Sequence, residues 1–218
     1  MKRSPIGAVA AGLIVVTVCI LTRALSGWTP AAVPQTTAVP ASTQLPFGDL
    51  LASDEFKKTF AAHQFTPFGD GKFSFSIFIP NTWESRVSEV DPDQITHDTE
   101  APVPLAEFAP GGADDVGINV QYLRVSADKP LTAVIDDYAK TNNGTLVARQ
   151  HLDSRERSIE DALMKSNADD LGAMLTRVSV VRRGAIVFIY TGWSVEAKYE
   201  KSKRIFGAAL ESFVPTGN

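Results

Sequence analysis

The sequence predicts an α+β fold in which an antiparallel sheet lies between layers of helix, an α/β/α sandwich. Segments with the two-residue alternation of strands predominate, and short turns join them. Three segments with helical periodicity are available to cover the sheet. Residues 185–190 are almost continuously apolar, which is typical of a central strand that is covered on both faces.

Residues 73–83 predict the opening strand and its end. The apolar positions that alternate with Ser74, Ser76 and Phe78 are Phe73, Phe75, Ile77 and Ile79. Pro80 cannot donate a backbone hydrogen bond, so we expect the strand to end there and Asn81-Thr82 to turn the chain. Trp83 is expected to fold back over the open edge of the core and to be mostly buried.

The remaining elements follow in order along the chain. Helical periodicity predicts helices over 49–63, from Pro130 to just before Asn142, and over 195–213. Alternation predicts strands over 103–108, 117–125 and 145–152, and a hairpin of 171–181 with 185–193. Residues 158–165 fit either a helix or a strand. The inner stripe of the last helix is predicted to be Tyr199, Ile205, Phe206, Ala209 and Phe213.

The N-terminus has the pattern of an export signal. Lys2 and Arg3 precede an apolar run over 6–21. As a helix this run spans about 24 Å, short of a hydrocarbon core of about 30 Å, but continuation to Trp28 would close the gap. Both a cleavable signal peptide and an uncleaved membrane helix fit this pattern. Both alternatives place the N-terminus in the cytoplasm and the folded domain outside it. If the signal is cleaved, the domain is secreted.

Three segments follow from this pattern. We expect residues 1–26 to be a signal-anchor or signal peptide and residues 27–46, rich in Pro, Ala and Thr, to be an extended linker. Residues 47–218 are then one α+β domain, expected to fold without the preceding segments as a soluble monomer. The predicted location is the bacterial inner membrane, single-pass, with a periplasmic or extracytoplasmic domain.

Charge and cysteine content exclude several functions. The chain has net charge −4, and the part from Asp49 onward carries 18 basic and 25 acidic residues. This acidic body argues against nucleic acid as a partner. The single cysteine, Cys19, lies in the apolar N-terminal run. Disulfides, cysteine–zinc sites and a cysteine nucleophile are therefore excluded from the domain.

No catalytic, cofactor-binding or metal-binding residue is predicted. His63, His97 and His151 are isolated in the sequence, and a Gly-x-Ser-x-Gly nucleophile elbow is absent. The acidic segment 89–100 lacks the glycine that a calcium loop needs at its sixth position, where Thr96 stands. We interpret it as a solvated acidic loop, with cation binding as the alternative.

Basic residues of the last helix form a candidate interaction face. They are Lys198, Lys201, Lys203 and Arg204. Such a face would suit anionic lipid or a protein partner, and the alternative is an ordinary solvated helix face. Glu200 lies four residues before Arg204, a spacing that predicts an ion pair along the helix.

The order of elements resembles the PsbP-like fold. The features that carry the resemblance are a strand ending in Pro-x-x-Trp, at Pro80 and Trp83, and a terminal helix ending in Ser212-Phe213. This fold is shared by the PsbP subunit of photosystem II, a nuclear Ran-binding protein and DcrB-type envelope proteins. The resemblance covers roughly 68–213 and implies a non-enzymatic binding or assembly module. The long segment 152–170 departs from a compact member and suggests an inserted helix.

Together these observations predict a non-catalytic, extracytoplasmic binding or assembly module with an envelope protein partner and no cofactor. One alternative is a structural component of a secretion or cell-envelope machine. Another is a hydrolase-like enzyme whose site is assembled from scattered residues, around His97 and the acidic loop. The sequence specifies neither the identity of the partner nor the oligomeric state.

Overall fold

The computed structural model describes residues 47, 53–66, 73–88, 101–154 and 157–216. All of them belong to one compact unit, Ser42–Asn218. The helices are α1 (Ser53–Thr59), α2 (Leu131–Thr141) and α3 (Glu196–Ser212). The strands are β1 (Phe60–Phe65), β2 (Phe75–Pro80), β3 (Trp83–Val87), β4 (Val103–Pro110), β5 (Val116–Arg124), β6 (Thr145–Ser154), β7 (Arg157–Ala168), β8 (Gly172–Arg183), β9 (Ile186–Val195) and β10 (Val214–Pro215).

The strands form two antiparallel sheets. The large sheet has seven strands in the order β3-β4-β5-β9-β8-β7-β6, and the small sheet has the order β1-β2-β10. Strand β9 is the fourth of seven, and Val187, Phe188, Ile189 and Tyr190 are fully buried in it. The prediction of a central strand over 185–190 is confirmed, and so is its hairpin with β8, which turns at Gly184 with a positive φ.

Each face of the large sheet has its own apolar core. The first face packs against α3 and the small sheet, where Phe213 contacts Phe75 and Phe188 with ring centroids 5.4 and 5.8 Å apart. Phe65 of β1 meets Phe108 of β4 edge to face at 5.2 Å. The second face packs against α2 through Val134, Ile135 and Ala139. The predicted helix after Pro130 and the predicted α+β class are confirmed.

The first predicted helix is shorter than expected. Helix α1 ends at Thr59, and Phe60–Phe65 is a strand that pairs with β2 from Phe60↔Pro80 to Phe65↔Phe75. The four-residue spacing of Phe56 and Phe60 still brings their rings together, because the two rings stack with their centroids 4.8 Å apart. Beyond Thr59, pairing with the edge of β2 and burial of Phe60 and Phe65 override the helical pattern.

The described residues of the segment 152–170 form strands and a turn, so the expectation of an inserted helix was wrong. Residues 157–168 are strand β7, which lies between β6 and β8. Ile159 and Leu163 face the core under α3, whereas Ala162 and Met164 face the core under α2. Burial on both faces removes the two-residue alternation, which explains why the sequence pattern was ambiguous.

Trp83 is placed differently from the prediction. The chain does turn at Asn81-Thr82, but Trp83 then opens strand β3 and pairs with Pro110. Although β3 is an edge strand, most of Trp83 is buried and it packs against the core. The predicted burial is therefore confirmed, whereas the predicted position of Trp83 as a lid beyond the end of the sheet was wrong, because residue 83 is the first residue of β3.

The predicted signal-anchor, the linker and the acidic loop 89–100 lie outside the described residues. Within those residues, no helix has both the length and the apolar character needed to span a bilayer.

Candidate functional site on the open face of the large sheet

The predicted basic face of α3 is largely engaged within the domain. Lys203 is buried and lies 2.7 Å from Glu200, so it does not belong to an exposed face. Glu200 thus pairs with Lys203 and not with Arg204, which lies 3.6 Å from Glu55 of α1. Lys198 pairs with Asp115. Lys201 is exposed, and whether it contacts a partner stays a prediction.

The two histidines that the structure describes, His63 and His151, lie on different sheets. His63 is half-buried in the small sheet, where its ring lies 6.1 Å from that of Phe65. His97 lies outside the described residues. His151 is exposed on β6, with Nδ1 2.7 Å from Glu160 and Nε2 2.9 Å from Asp153. No group of three or more potential metal ligands occurs among the residues that the structure describes.

Polar residues line an open part of the second face of the large sheet. Helix α2 packs against β6, β7 and β8. Next to this covered area, β5 places Asn119 and Gln121 on the second face, and β9 places Thr191 and Trp193 there. Asn119 pairs with Thr191 in the strand register, and Gly117 pairs with Trp193. The open face is therefore built from side chains of two central strands.

Gly117 makes room for the indole of Trp193. A Cβ atom at Gly117 would lie 2.7 Å from the ring of Trp193, closer than carbon atoms approach each other. The absence of a side chain at residue 117 lets the tryptophan lie across β5. Trp193 thereby separates two clefts and lines both.

The first cleft, which we call the neutral cleft, has a volume of about 230 Å³ and lies between Trp193 and α2. Its apolar walls are Met164, Met174 and the rings of Tyr138 and Trp193. Its polar walls are the side chains of Asn119, Asn142, Ser166, Thr176 and Thr191. Burial raises the pKa of the Tyr138 hydroxyl, so this group stays a protonated donor at physiological pH.

The second cleft, which we call the acidic cleft, has a volume of about 420 Å³ and lies between Trp193 and strands β3 and β4. Three carboxylates, from Glu84, Glu107 and Asp114, line it together with Arg86. The structure shows no ion pair for these four side chains within the described ranges. The cleft carries excess negative charge and is suited to a cationic group.

Several polar atoms at the open face are shielded from solvent and lack a hydrogen-bond partner among the described residues. They are Nε1 of Trp193, Oδ1 of Asn119 and Oε1 of Gln121, with Oδ1 of Asp115 and Oγ of Ser194 nearby in the sequence. An unpaired buried donor or acceptor costs about 1–3 kcal/mol, so most such groups in folded proteins are paired. This cluster is the strongest indication of a binding site in the described structure, and the sequence analysis did not single out any of its members.

A second polar cluster lies under α3 and has a structural role. Asp161 and Arg177 form a buried ion pair, with Nη2 of Arg177 2.7 Å from Oδ2 of Asp161. Ser179 and Gln150 also donate to the Asp161 carboxylate, at 2.7 and 2.6 Å. The guanidinium stacks over the ring of Phe47, 5.2 Å from its centroid. These partners satisfy the charges without leaving a position for a ligand.

Comparison with known proteins identifies the architecture. No family model and no curated protein matches the sequence. The solution structure of cyanobacterial PsbP (CyanoP) from Synechocystis matches with a TM-score of 0.53 and 16% identity, over 71% of this chain and 92% of that one. The chain has a PsbP-like fold. At this identity the likeness shows the fold and nothing further.

Two other solved structures match the PsbP-like domain at lower scores. LpqN from Mycobacterium tuberculosis, which is involved in cell envelope biogenesis, has a TM-score of 0.49 and 10% identity, over 77% of this chain and 98% of that one. PA94 from Pseudomonas aeruginosa, a putative regulator of unknown function, has a TM-score of 0.41 and 12% identity, over 72% of this chain and 99% of that one.

The signature residues of the PsbP-like domain join its two sheets to α3. Pro80 and Trp83 flank the turn by which the chain leaves the small sheet for the large one. Ser212 ends α3, and its Oγ accepts a hydrogen bond of 2.9 Å from the backbone N–H of Phe78. Phe213 is completely buried between the sheets. None of the four residues lines the neutral or the acidic cleft.

Proposed function

We propose that the protein is a non-catalytic binding module of the bacterial cell envelope, held outside the cytoplasm by its N-terminal segment. The N-terminus supports a location outside the cytoplasm, because basic residues followed by an apolar run are the pattern of an export signal. A PsbP-like fold supports a binding role only by analogy of fold, since one fold serves many functions.

One observation carries the proposal: two clefts meet at Trp193 on the open face, and their lining residues Trp193 and Asn119 each carry a buried polar atom without a partner. Ligand sites are typically concave, with aromatic walls and a few convergent polar groups. The face lies on the central strands β5 and β9, so the backbone that positions it is rigid. We expect this face to contact the partner.

Photo-crosslinking in intact cells tests the proposal. A photoreactive phenylalanine analogue replaces Arg86 in the acidic cleft or Ser166 in the neutral cleft, with Gln64 on the small sheet as the control position. We expect both cleft positions to give the same specific adduct, and Gln64 to give none. The adduct should disappear when Trp193→Ala is introduced into a chain that still folds.

A fusion of alkaline phosphatase after Asn218 tests the location, because this reporter is active only outside the cytoplasm. We expect an active fusion whose activity depends on the apolar run 6–21. Adducts that are equally strong from Gln64, or an inactive fusion, would overturn the corresponding part of the proposal.

A further inference from the structure

The neutral cleft allows the ligand class to be specified, and this step rests on the proposed function. Two of its lining residues each carry a solvent-shielded polar atom, and these two atoms have opposite hydrogen-bonding capacities. Oδ1 of Asn119 is an acceptor without a donor, and Nε1 of Trp193 is a donor without an acceptor. A hydroxyl group can donate to the first and accept from the second, because it has one proton and two lone pairs.

The walls of the neutral cleft disfavour ionic and purely apolar ligands. No charged side chain lines the cleft, so an ion would lose its hydration without gaining a countercharge. An apolar ligand would cover the amide and hydroxyl groups of Asn142, Ser166 and Thr176 without offering them a hydrogen-bond partner. A neutral ligand rich in hydrogen-bonding groups avoids both costs.

The sheet topology disfavours an extended peptide. Strand β9 is paired on one side with β5 and on the other with β8, and β8 is paired with β7. The floor of the neutral cleft therefore offers no free strand edge, which is what a peptide needs to add to a sheet. Recognition has to use side chains, and six of these carry amide or hydroxyl groups.

The apolar walls of the neutral cleft offer a surface to the C–H groups of a sugar ring. Met164, Met174 and Trp193 provide soft and aromatic surface on which the C–H face of a ring packs. The volume of about 230 Å³ is below the usual range for sites that enclose a whole drug-sized ligand. We infer that the neutral cleft binds one residue of a neutral glycan, whose hydroxyl groups form hydrogen bonds with its polar walls, including the side chains of Asn119 and Trp193.

Binding is tested on the full-length chain in a zwitterionic detergent that contains no sugar. The probes are the methyl glycosides of glucose and N-acetylglucosamine, followed by saturation-transfer NMR and by indole fluorescence. We expect at least one glycoside to bind with a Kd on the order of 1 mM, because a single ring has few atoms with which to gain affinity. An acidic sugar, glucuronate, is expected to bind more weakly.

Two variants connect binding to the proposed atoms. Trp193→Phe keeps an aromatic ring but removes the N–H, and Asn119→Ala removes the acceptor. Each should weaken glycoside binding about 3- to 10-fold, the equivalent of one hydrogen bond. Gln64→Ala, on the small sheet, should leave the affinity unchanged. Melting temperatures identify a variant that has lost its fold, and such a variant is replaced by Thr191→Val, which removes a hydroxyl from the same wall.

The outcomes separate this inference from the proposed function. Absence of glycoside binding, or binding that both variants leave unchanged, overturns the sugar assignment. A crosslinked protein partner that contacts Ser166 without any glycoside binding also overturns the sugar assignment but leaves the binding module in place. Loss of both the specific adduct and glycoside binding refutes the two proposals together.

Discussion

Asp161 and Arg177 are the residues on which the charge balance of the interior depends. Both side chains are almost completely buried, with 0% and 5% exposure. The pair is accompanied by hydrogen bonds from Ser179 and Gln150. A buried ion pair adds little net stability relative to apolar residues, but removal of one partner leaves the other uncompensated.

Asp161→Asn should therefore destabilise the domain by about 3 kcal/mol or more. The variant keeps the shape of the side chain while leaving the Arg177 charge buried without its counterion. Chemical denaturation measures the change in free energy of unfolding. Asp137→Asn provides the matched control, because that carboxylate is 61% exposed and its pair with Lys129 should contribute less than about 1 kcal/mol. Equal effects of the two substitutions would contradict this assignment.

His151 makes stability depend on pH. Its pKa is raised above the usual 6.5, first by the hydrogen bond to Glu160 and then by the hydrogen bond to Asp153. A raised pKa in the folded state means that the protonated imidazole is stabilised by folding. This contribution is fully present below the unfolded-state pKa and is lost as the pH rises through the folded-state pKa.

We expect His151→Gln to lower the melting temperature more in mildly acidic buffer than in alkaline buffer. The difference between the wild-type protein and the variant should shrink as the pH rises above the usual histidine pKa of 6.5. Thermal unfolding of both proteins across this range measures it. A difference that grows towards alkaline pH would show that the imidazole is stabilised in its neutral form.

At the scale of elements, the C-terminus of α3 ties the helix to both sheets. The Ser212 hydroxyl accepts from the N–H of Phe78 in β2 and donates to the carbonyl of Ala209 at 2.7 Å. Tyr190 in β9 donates to the carbonyl of Phe206 at 2.9 Å. The helix is thus fixed by polar bonds to one strand of each sheet, in addition to its apolar face.

Ser212→Ala should cost about 1–2 kcal/mol in the free energy of unfolding, because the N–H of Phe78 would lose its acceptor in a partly buried position. Urea denaturation provides the measurement. Ser85→Ala, at an exposed position of edge strand β3, is the control and should change the free energy by less than about 0.5 kcal/mol. An effect no larger than that of the control would mean that the bond to Phe78 adds nothing.

At the scale of the whole molecule, Phe47 is part of the hydrophobic core of the domain although it lies before the first helix in the sequence. This residue is 6% exposed, its ring stacks against the Arg177 guanidinium, and its carbonyl accepts a hydrogen bond of 3.4 Å from Arg177. A Cβ atom at Gly207 of α3 would lie 3.2 Å from Nη1 of Arg177, so the guanidinium fits closely under the helix. Phe47 therefore completes the cover of the buried ion pair.

A fragment of residues 47–218 should fold cooperatively as a soluble monomer, whereas a fragment that starts at Ser53 should be less stable by about 2–4 kcal/mol. The reason is that loss of Phe47 opens the ion pair to solvent and leaves a cavity. Circular dichroism and thermal melts of the two fragments measure the difference, and Phe47→Ala in the longer fragment should reproduce most of it. Equal stability of both fragments would place the boundary after residue 52.

Much of the fold could be predicted from the sequence where local pattern and burial agree. The alternation of 73–79, the apolar run of 185–190, the hairpin of β8 with β9 and the helix after Pro130 are all local signals. Strand β7 and strand β1 could not be assigned in this way. Strand β7 is buried on both faces, so its sequence does not alternate between apolar and polar residues. Strand β1 follows α1 without a break, and its extended conformation depends on pairing with β2.

The class of the domain and the signature of its PsbP-like fold follow from the sequence, because strand periodicity and turn residues are encoded over a few neighbouring positions. The candidate site depends on the tertiary structure. Trp193 comes from β9, Asn119 from β5 and Tyr138 from α2, and long-range strand pairing brings them together. A tryptophan at a strand end and an asparagine in a strand middle become parts of one cleft only through that pairing.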